Sequence, residues 1–545
     1  MYRLISPTNG TDRKLAAALS TSSITFELIE VYKTQYSNRG EARVVVIEKL
    51  KQRLADVFTL GSVSAILDWD QQTYMPSGGV IGRSNQLAFI NKLKHEMFIS
   101  SETDELLSLA EKENHNLDPD SDDVAYLRMA RREFEKKTKL PSELVEEIAQ
   151  TAAIAHEDWV IACATSDYPK FAPSLQKTLV LQRRVADLLG YKTERYDALL
   201  DQYEPDMTTA EVRLLFEQLK PPLVALVKKI TECGPDAIDT SVLRREFDED
   251  KQREFAESVI RQFGFDFNRG RQDRATHPFC TSFSRNDVRI TTRYDRNFLP
   301  IALFSTLHET GHALYDMNIG ARYDANILGT GASLGIHESQ SRLWENLIGR
   351  SQSFWKYYYP KLKAQFPTLR DVSEEHFYRA INRVTPSLIR VEADEVTYNL
   401  HIMLRFEMEV DLLEERISVV DAPEAWNAKC QEYLGITPSD DARGILQDIH
   451  WSSSGFGYFP TYTLGNILSV QFWDQANKHM SGQLLDMVVR GEFAPLREWL
   501  TENIHQWGSK YTPRELVQRA TGCPLDPVPY LRYLQEKFGD IYRLN

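Results

Sequence analysis

The run His308-Glu309-Thr310-Gly311-His312 sets two imidazoles four residues apart, with a carboxylate directly after the first. On a helix that spacing stacks the rings one turn apart, within reach of a single Zn²⁺ at about 2.0–2.1 Å. Glu309 then lies on an adjacent part of the same face, where it can take a proton from a metal-activated water without being a ligand. The third ligand decides the class. A metzincin would place glycine three positions and histidine six positions beyond His312, and Tyr315 and Asn318 stand there instead. The other common solution is a carboxylate on a following helix. The stretch from His337 to Glu345 offers Glu338 and Glu345, two turns apart on one face. Glu338 is read as the ligand, and Glu345 as an acceptor that orients a ligating imidazole.

A second motif lies just upstream of that stretch. Gly331-Ala332-Ser333-Leu334-Gly335 fits the G-x-S-x-G nucleophile elbow. That device needs a preceding strand in an α/β sheet and later acid and histidine partners, and no alternating strand and helix units surround it. The segment is read as a small-residue turn entering the Glu338 helix.

The elements that must position these groups are mostly helices. From Pro300 to Asp316 the pattern is helical, with Leu303, Leu307, Leu314 and Tyr315 as its apolar side. Pro141 tolerates a first turn, and Leu144, Val145, Ile148 and Ala152 mark one face after it. Similar periodicity covers residues 46–67, 122–138, 173–190, 210–231, 374–418 and 482–508. The exception is Asp287 to Asp295, where Val288, Ile290, Thr292 and Tyr294 alternate with Arg289, Thr291 and Arg293, which predicts a strand near an edge. With no repeat and no linker composition, the expectation is a single mainly α body over residues 46–545 with a little edge β-structure. Residues 1–45 read as a loosely attached extension. Its first 26 residues carry Arg3, Arg13 and Lys14 against one acid, Asp12, a faint transit-peptide composition that keeps organellar targeting open.

Composition narrows the partners. With 545 residues, 42% hydrophobic and 26% charged, the chain fits a folded soluble protein with a large core. A net charge of −14 is a poor field for a phosphate backbone, so nucleic acid is not expected as a partner. No apolar run approaches the roughly 20 residues of a membrane span. Five scattered cysteines without a C-x-x-C pair point to a reducing, cytoplasmic setting and to a metal not held by thiols.

Six segments in order resemble the carboxypeptidase Taq family of zinc metallocarboxypeptidases: His277-Pro278-Phe279, Asp287-Val288-Arg289-Ile290-Thr291, His308-Glu309-Thr310-Gly311-His312, His337-Glu338-Ser339-Gln340, Ile389-Arg390-Val391-Glu392-Ala393-Asp394 and Gly444-Ile445-Leu446-Gln447-Asp448-Ile449-His450-Trp451. The likeness runs from about Val46 to the C-terminus. It implies a helical fold with a deep groove and the metal at its floor. Residues of about 46–265 would form lid and wall, and about 266–545 the catalytic core. It also implies removal of C-terminal residues from peptides with broad specificity, a Zn²⁺ that Co²⁺ can replace, and a homodimer. The family's third ligand falls on Glu338.

The remaining roles follow the chemistry of the reaction. A donor must stabilise the oxyanion beside the metal. Tyr462 is preferred, then His450, because the Gly457 to Tyr462 stretch resembles the one that supplies such donors in related helical metallopeptidases; Tyr458 is placed on the substrate. A free carboxylate calls for a guanidinium, and Arg390 and Arg289 are the candidates. An internal ion pair, for Arg390 with Glu392 or Asp394, is the plain alternative. Asp287, Asp394, Gln447 and Asp448 are read as supporting residues. Two other functions compete: a zinc endo-oligopeptidase with the same chemistry, and a non-catalytic zinc-stabilised protein, which would have no use for Glu309.

Overall fold

Caps and apolar spacing account for the helices that carry the site. In the computed structural model, which describes residues 39–544, the expected extension lies outside the described residues apart from the start of the first helix. Ser121 accepts the Val124 amide to open the helix Asp122–Thr138, which buries Ala125, Tyr126, Ala130 and Phe134. Thr208 and Glu211 cap each other's backbone at the head of Thr209–Glu232. The expected helix over 46–67 extends over Arg39–Thr73 and turns back as Val80–Phe98. The one over 173–190 starts earlier, at Tyr168, and carries Pro173 in its second turn. Among the described residues, helices are the only regular elements up to and including Glu249–Phe263. No helix among the described residues is long and apolar enough to cross a membrane.

Two of the long periodic stretches break. Residues 374–418 divide into Glu374–Ile381 and Tyr398–Leu413. Pro386 cannot continue a helix, and Asp394 draws the Thr385, Val396 and Thr397 amides out of helical pairing. Residues 482–508 divide into Leu484–Val489 and Ala494–Asn503 around Gly491, which has a φ of +75°.

The sheet is where the edge expectation needs correcting. Strands β1 (Gly270–Arg274), β2 (Cys280–Ser284) and β3 (Asp287–Thr292) lie in the order β1-β3-β2. The expected strand exists, yet it is central: β1 pairs with it in parallel, Gly270 opposite Val288, and β2 antiparallel, Cys280 opposite Ile290. β1 reads Gly-Arg-Gln-Asp-Arg and has no apolar alternation to reveal it. Val288, Ile290 and Thr292 are buried, and the Thr292 hydroxyl donates to the Ala302 carbonyl, which seats that face of β3 on the helix Leu299–Asn318. Arg289 points to the other face.

Leu299–Asn318 is buried nearly all round; Leu303, Leu307, Leu314 and Tyr315 are among its inward residues. It packs on the helix Leu334–Arg342, which continues into one wider π turn over Leu343–Ile348. On its other side Leu334–Arg342 meets the helix Pro460–His479. A Cβ on Gly311 would collide with the Gln340 carbonyl and stand 2.5 Å from Ser341 Cα. One on Gly465 would stand 2.5 Å from Glu338 Cγ. Two glycines therefore let three helices close on the segment that carries Glu338.

Candidate metal centre and active site

His308, His312 and Glu338 converge, and they are the one such cluster of metal-ligating side chains among the described residues. Glu338 Oε2 lies 3.6 Å from His308 Nε2 and 3.4 Å from His312 Nε2. Ligands at about 2.0–2.1 Å from a tetrahedral ion stand roughly 3.3–3.5 Å apart, so the spacing suits Zn²⁺. Both imidazoles keep a fifth or less of their exposure, which leaves the ligand atoms reachable.

Each ligand is held from behind. Arg342, one turn after Glu338, donates from Nε to Glu338 Oε1 at 2.6 Å, so Oε2 is the oxygen turned to the histidines. His308 Nδ1 is 2.9 Å from Glu345 Oε2, as the seven-residue offset from Glu338 suggested. His312 Nδ1 is 2.7 Å from His337 Nδ1, and His337 Nε2 is 3.0 Å from Asp316 Oδ1. This network assigns the tautomers: His312 donates from Nδ1 to His337, and His337 donates from Nε2 to Asp316. Both metal-facing Nε2 atoms then carry lone pairs. Arg350 Nη2 closes the cluster at 3.3 Å from Glu345 Oε1.

The charges favour a cation. Three carboxylates (Glu338, Glu345, Asp316) face two guanidiniums (Arg342, Arg350) in a largely buried space, before Glu309 is counted. Burial works against ionised Glu338, but Arg342 and the histidines overcome it and hold the carboxyl far below its usual range. Glu345 is brought to about 2 by the same contest of burial against His308 and Arg342. Burial pulls His312 down to about 4, which keeps it neutral and able to ligate. Glu309 is 6% exposed and its carboxyl has no hydrogen bond among the described residues; burial foremost pushes it up to about 7. A carboxyl poised there can both take and give a proton.

The expected donors lie on the same side. Tyr458 and Tyr462 have ring centroids 5.3 Å apart, and Tyr398 meets Tyr462 edge-on at 5.9 Å. Burial, with help from the charge of Glu338, holds both Tyr458 and Tyr462 protonated, Tyr458 at about 12. The His450 ring lies tilted against Phe459 at 4.5 Å and beside Tyr458 at 5.5 Å. Its Nδ1 is buried without a hydrogen-bond partner, 3.8 Å from Asp448 Oδ1.

The two arginines are far from equivalent. Arg390 donates from Nε and Nη2 to Asp448 Oδ1, at 3.0 and 2.7 Å, and from Nη1 to the Tyr398 hydroxyl at 2.9 Å. Its internal partner is Asp448, rather than Glu392 or Asp394. Arg405 shares that carboxylate through Oδ2 at 2.6 Å. Arg390 also lies over the Tyr462 ring at 5.2 Å. Arg289 sits on the face of β3 opposite the one seated on Leu299–Asn318, bidentate to Asp287 at 2.9 and 3.0 Å and sandwiched between Trp69 and Phe283.

Arg342, Asp316 and Arg350 escaped the sequence reading. The first two carried a usable signal: Arg342 is four residues after Glu338, and Asp316 four after His312, each on the same helix face. The Gly331 to Gly335 turn has no preceding strand. Ser333 caps Leu334–Arg342 by accepting the Ile336 amide at 3.1 Å, a structural task that occupies its hydroxyl.

The family described as carboxypeptidase Taq (M32) metallopeptidase matches residues 49–538. The chain is 41% identical over 492 residues to thermostable carboxypeptidase 1 of Thermus thermophilus, across 89% of this chain and 96% of that one. Its fold matches the M32 carboxypeptidase of Deinococcus radiodurans R1 with a TM-score of 0.89 at 39% identity, covering 92% of this chain and 100% of that one. Metallocarboxypeptidase 1 of Trypanosoma cruzi matches with a TM-score of 0.87 at 33% identity, over 90% and 99% of the two chains.

Proposed function

The chain belongs to the carboxypeptidase Taq (M32) family of metallopeptidases and is a carboxypeptidase that hydrolyses peptide bonds; from that premise we propose that it releases C-terminal residues one at a time, with broad specificity, through a Zn²⁺ held by His308, His312 and Glu338. The observation that carries this reading is the placement of both Nε2 atoms within 3.6 Å of one Glu338 oxygen, with Glu309 buried alongside.

Bound there, zinc would polarise the scissile carbonyl and bring the pKa of a water towards about 7. Glu309 takes the proton of the attacking water and passes it to the leaving amine, a role suited to a carboxyl raised towards neutrality. Tyr462 donates to the oxygen that gains charge, with Tyr458 and His450 beside it on the substrate. Glu345, and His337 with Asp316, keep the imidazoles from turning. Arg390 receives the free carboxylate with the guanidinium edge that Asp448 leaves open, and Arg289 ties the sheet to the first helix through Trp69.

A deep groove formed by residues of about 46–265 and about 266–545 would seat the peptide. The family likeness extends the proposal to a homodimer in which Co²⁺ can replace zinc. The cysteines, none of them paired, support a reducing, cytoplasmic setting.

The test is direction. A peptide with a free C-terminus should shorten from that end, residue by residue, and its C-terminal amide should be cleaved poorly, because the amide offers no charge to the guanidinium edge that Asp448 leaves open. Equal internal cleavage of both peptides would refute the reading and favour an endo-oligopeptidase.

A further inference from the structure

Glu409 has no place in the mechanism above. It lies inside Tyr398–Leu413, is 0% exposed, and faces the segment from His450 to Tyr458. Its carboxylate accepts three bonds from three parts of the chain. Oε1 accepts the Trp451 indole N–H at 2.9 Å. Oε2 accepts the Tyr196 hydroxyl at 2.8 Å and the Gly457 amide at 3.1 Å. Two of those donors sit one residue from a group placed on the substrate: Trp451 follows His450, and Gly457 precedes Tyr458. The intervening residues 452–456 form a chain of turns closed by their own bonds, the Gly455 N–H donating to the His450 carbonyl at 2.8 Å and Trp451 stacking on Phe456; the Gly457 N–H, next in line, donates to Glu409 instead, so the hydrogen bonding that carries the chain on to Tyr458 runs through that carboxylate.

We infer that Glu409 is a positioning residue: it clamps the two ends of the His450 to Tyr458 loop and thereby sets where His450 and Tyr458 meet the peptide. The role rests on the reading of Tyr458 as a substrate contact. A carboxylate suits the task because every group around it is a donor. A glutamine has one acceptor oxygen, so its NH₂ would face either the indole N–H or the Tyr196 and Gly457 pair, leaving a buried donor unpaired. Burial works against charge on this carboxyl, and its three donors and Arg405, one turn earlier on the same helix, work for it. Displacement of a substrate contact by an ångström is enough to cost turnover without loss of the fold.

The experiment is a double-mutant cycle on the zinc-loaded enzyme, reading kcat/KM on one peptide. Tyr458→Phe and Glu409→Gln are each expected to lower it by about tenfold, with full metal content and unchanged far-UV circular dichroism. The double variant should lose clearly less than the product of the two single losses, since a lost clamp cannot misplace a hydroxyl already removed and only the displacement of His450 remains to be felt. A purely structural Glu409 would give additive losses. If Glu409→Gln does not fold, Trp451→Phe removes one of the three bonds, keeps the carboxylate and completes the same cycle. A silent Tyr458→Phe would overturn the substrate-contact reading together with this role. A costly Tyr458→Phe beside a silent or additive Glu409→Gln would overturn the clamp alone.

Discussion

His312 reaches its supporting carboxylate through another imidazole: its Nδ1 is 2.7 Å from His337 Nδ1, and His337 passes the hydrogen bond on to Asp316. His308 needs no intermediary, because Glu345 meets its Nδ1 directly. His337 thus stands beside the candidate ligand Glu338 in sequence and behind the candidate ligand His312 in space. His337→Leu should therefore weaken zinc binding by about 10- to 100-fold, and Glu345→Gln should fall in the same range. Competition with a chromophoric chelator measures both. Wild-type affinity in His337→Leu would show that the ring only fills space.

Gly311 occupies the fourth position of the H-E-x-x-H run and touches the helix that carries Glu338. Gly311→Ala should push Leu334–Arg342 outward, costing about 1–3 kcal/mol of stability and most of the bound metal. Gly465→Ala presses on Glu338 from the opposite side and should do the same. Thermal unfolding and metal analysis report the two effects. Full metal content at wild-type stability in either variant would contradict the packing described.

Ser333→Ala separates a cap from a nucleophile. The lost bond to the Ile336 amide should cost about 0.5–2 kcal/mol while turnover of the folded protein stays near wild type. Steady-state kinetics below the unfolding range decides it. A loss of turnover as deep as that of Glu309→Gln would restore the serine to the chemistry.

Acidification should reveal buried neutral histidines. Burial foremost pulls His401 and His505 down to about 3, whereas in the unfolded chain each titrates near 6.5. Between those values the unfolded state holds a proton that the folded state lacks, so each histidine makes stability fall as pH falls, by roughly 1.4 kcal/mol per unit. Glu204 and Glu409, pushed up to about 7 by burial, act in the opposite sense from pH 7 down to their unfolded values. The diagnostic is therefore a difference between proteins. His401→Leu, which removes a ring nitrogen that lacks a partner, should lose about one histidine's share of the slope between pH 4.5 and 6.5 in urea unfolding. An unchanged slope would mean that His401 is protonated in the fold.

The cluster of His308, His312 and Glu338 was legible in the sequence because its parts obey one period. His308, Glu309 and His312 share a helix face, and Glu338 and Glu345 share another, so helical spacing brings out the candidate ligands and one of their supports. The link from His337 to Asp316 spans 21 residues, and that from Arg390 to Asp448 spans 58; both depend on how segments distant in sequence pack, which no local pattern encodes. The central place of β3 was hidden for a similar reason, since β1 pairs through its backbone and shows almost no apolar face. The break within residues 374–418 was within reach, because Pro386 stood in the periodic stretch and outweighs it.

Zinc titration of chelator-stripped enzyme, followed by release of the C-terminal residue from an unmodified peptide, tests the assignment of the metal centre most directly. Activity should be absent at the start, rise in proportion to added zinc and level off at about one equivalent per chain, while Glu338→Ala stays inactive over the same range. Full release before any zinc is added, or the same titration curve in Glu338→Ala, would contradict it.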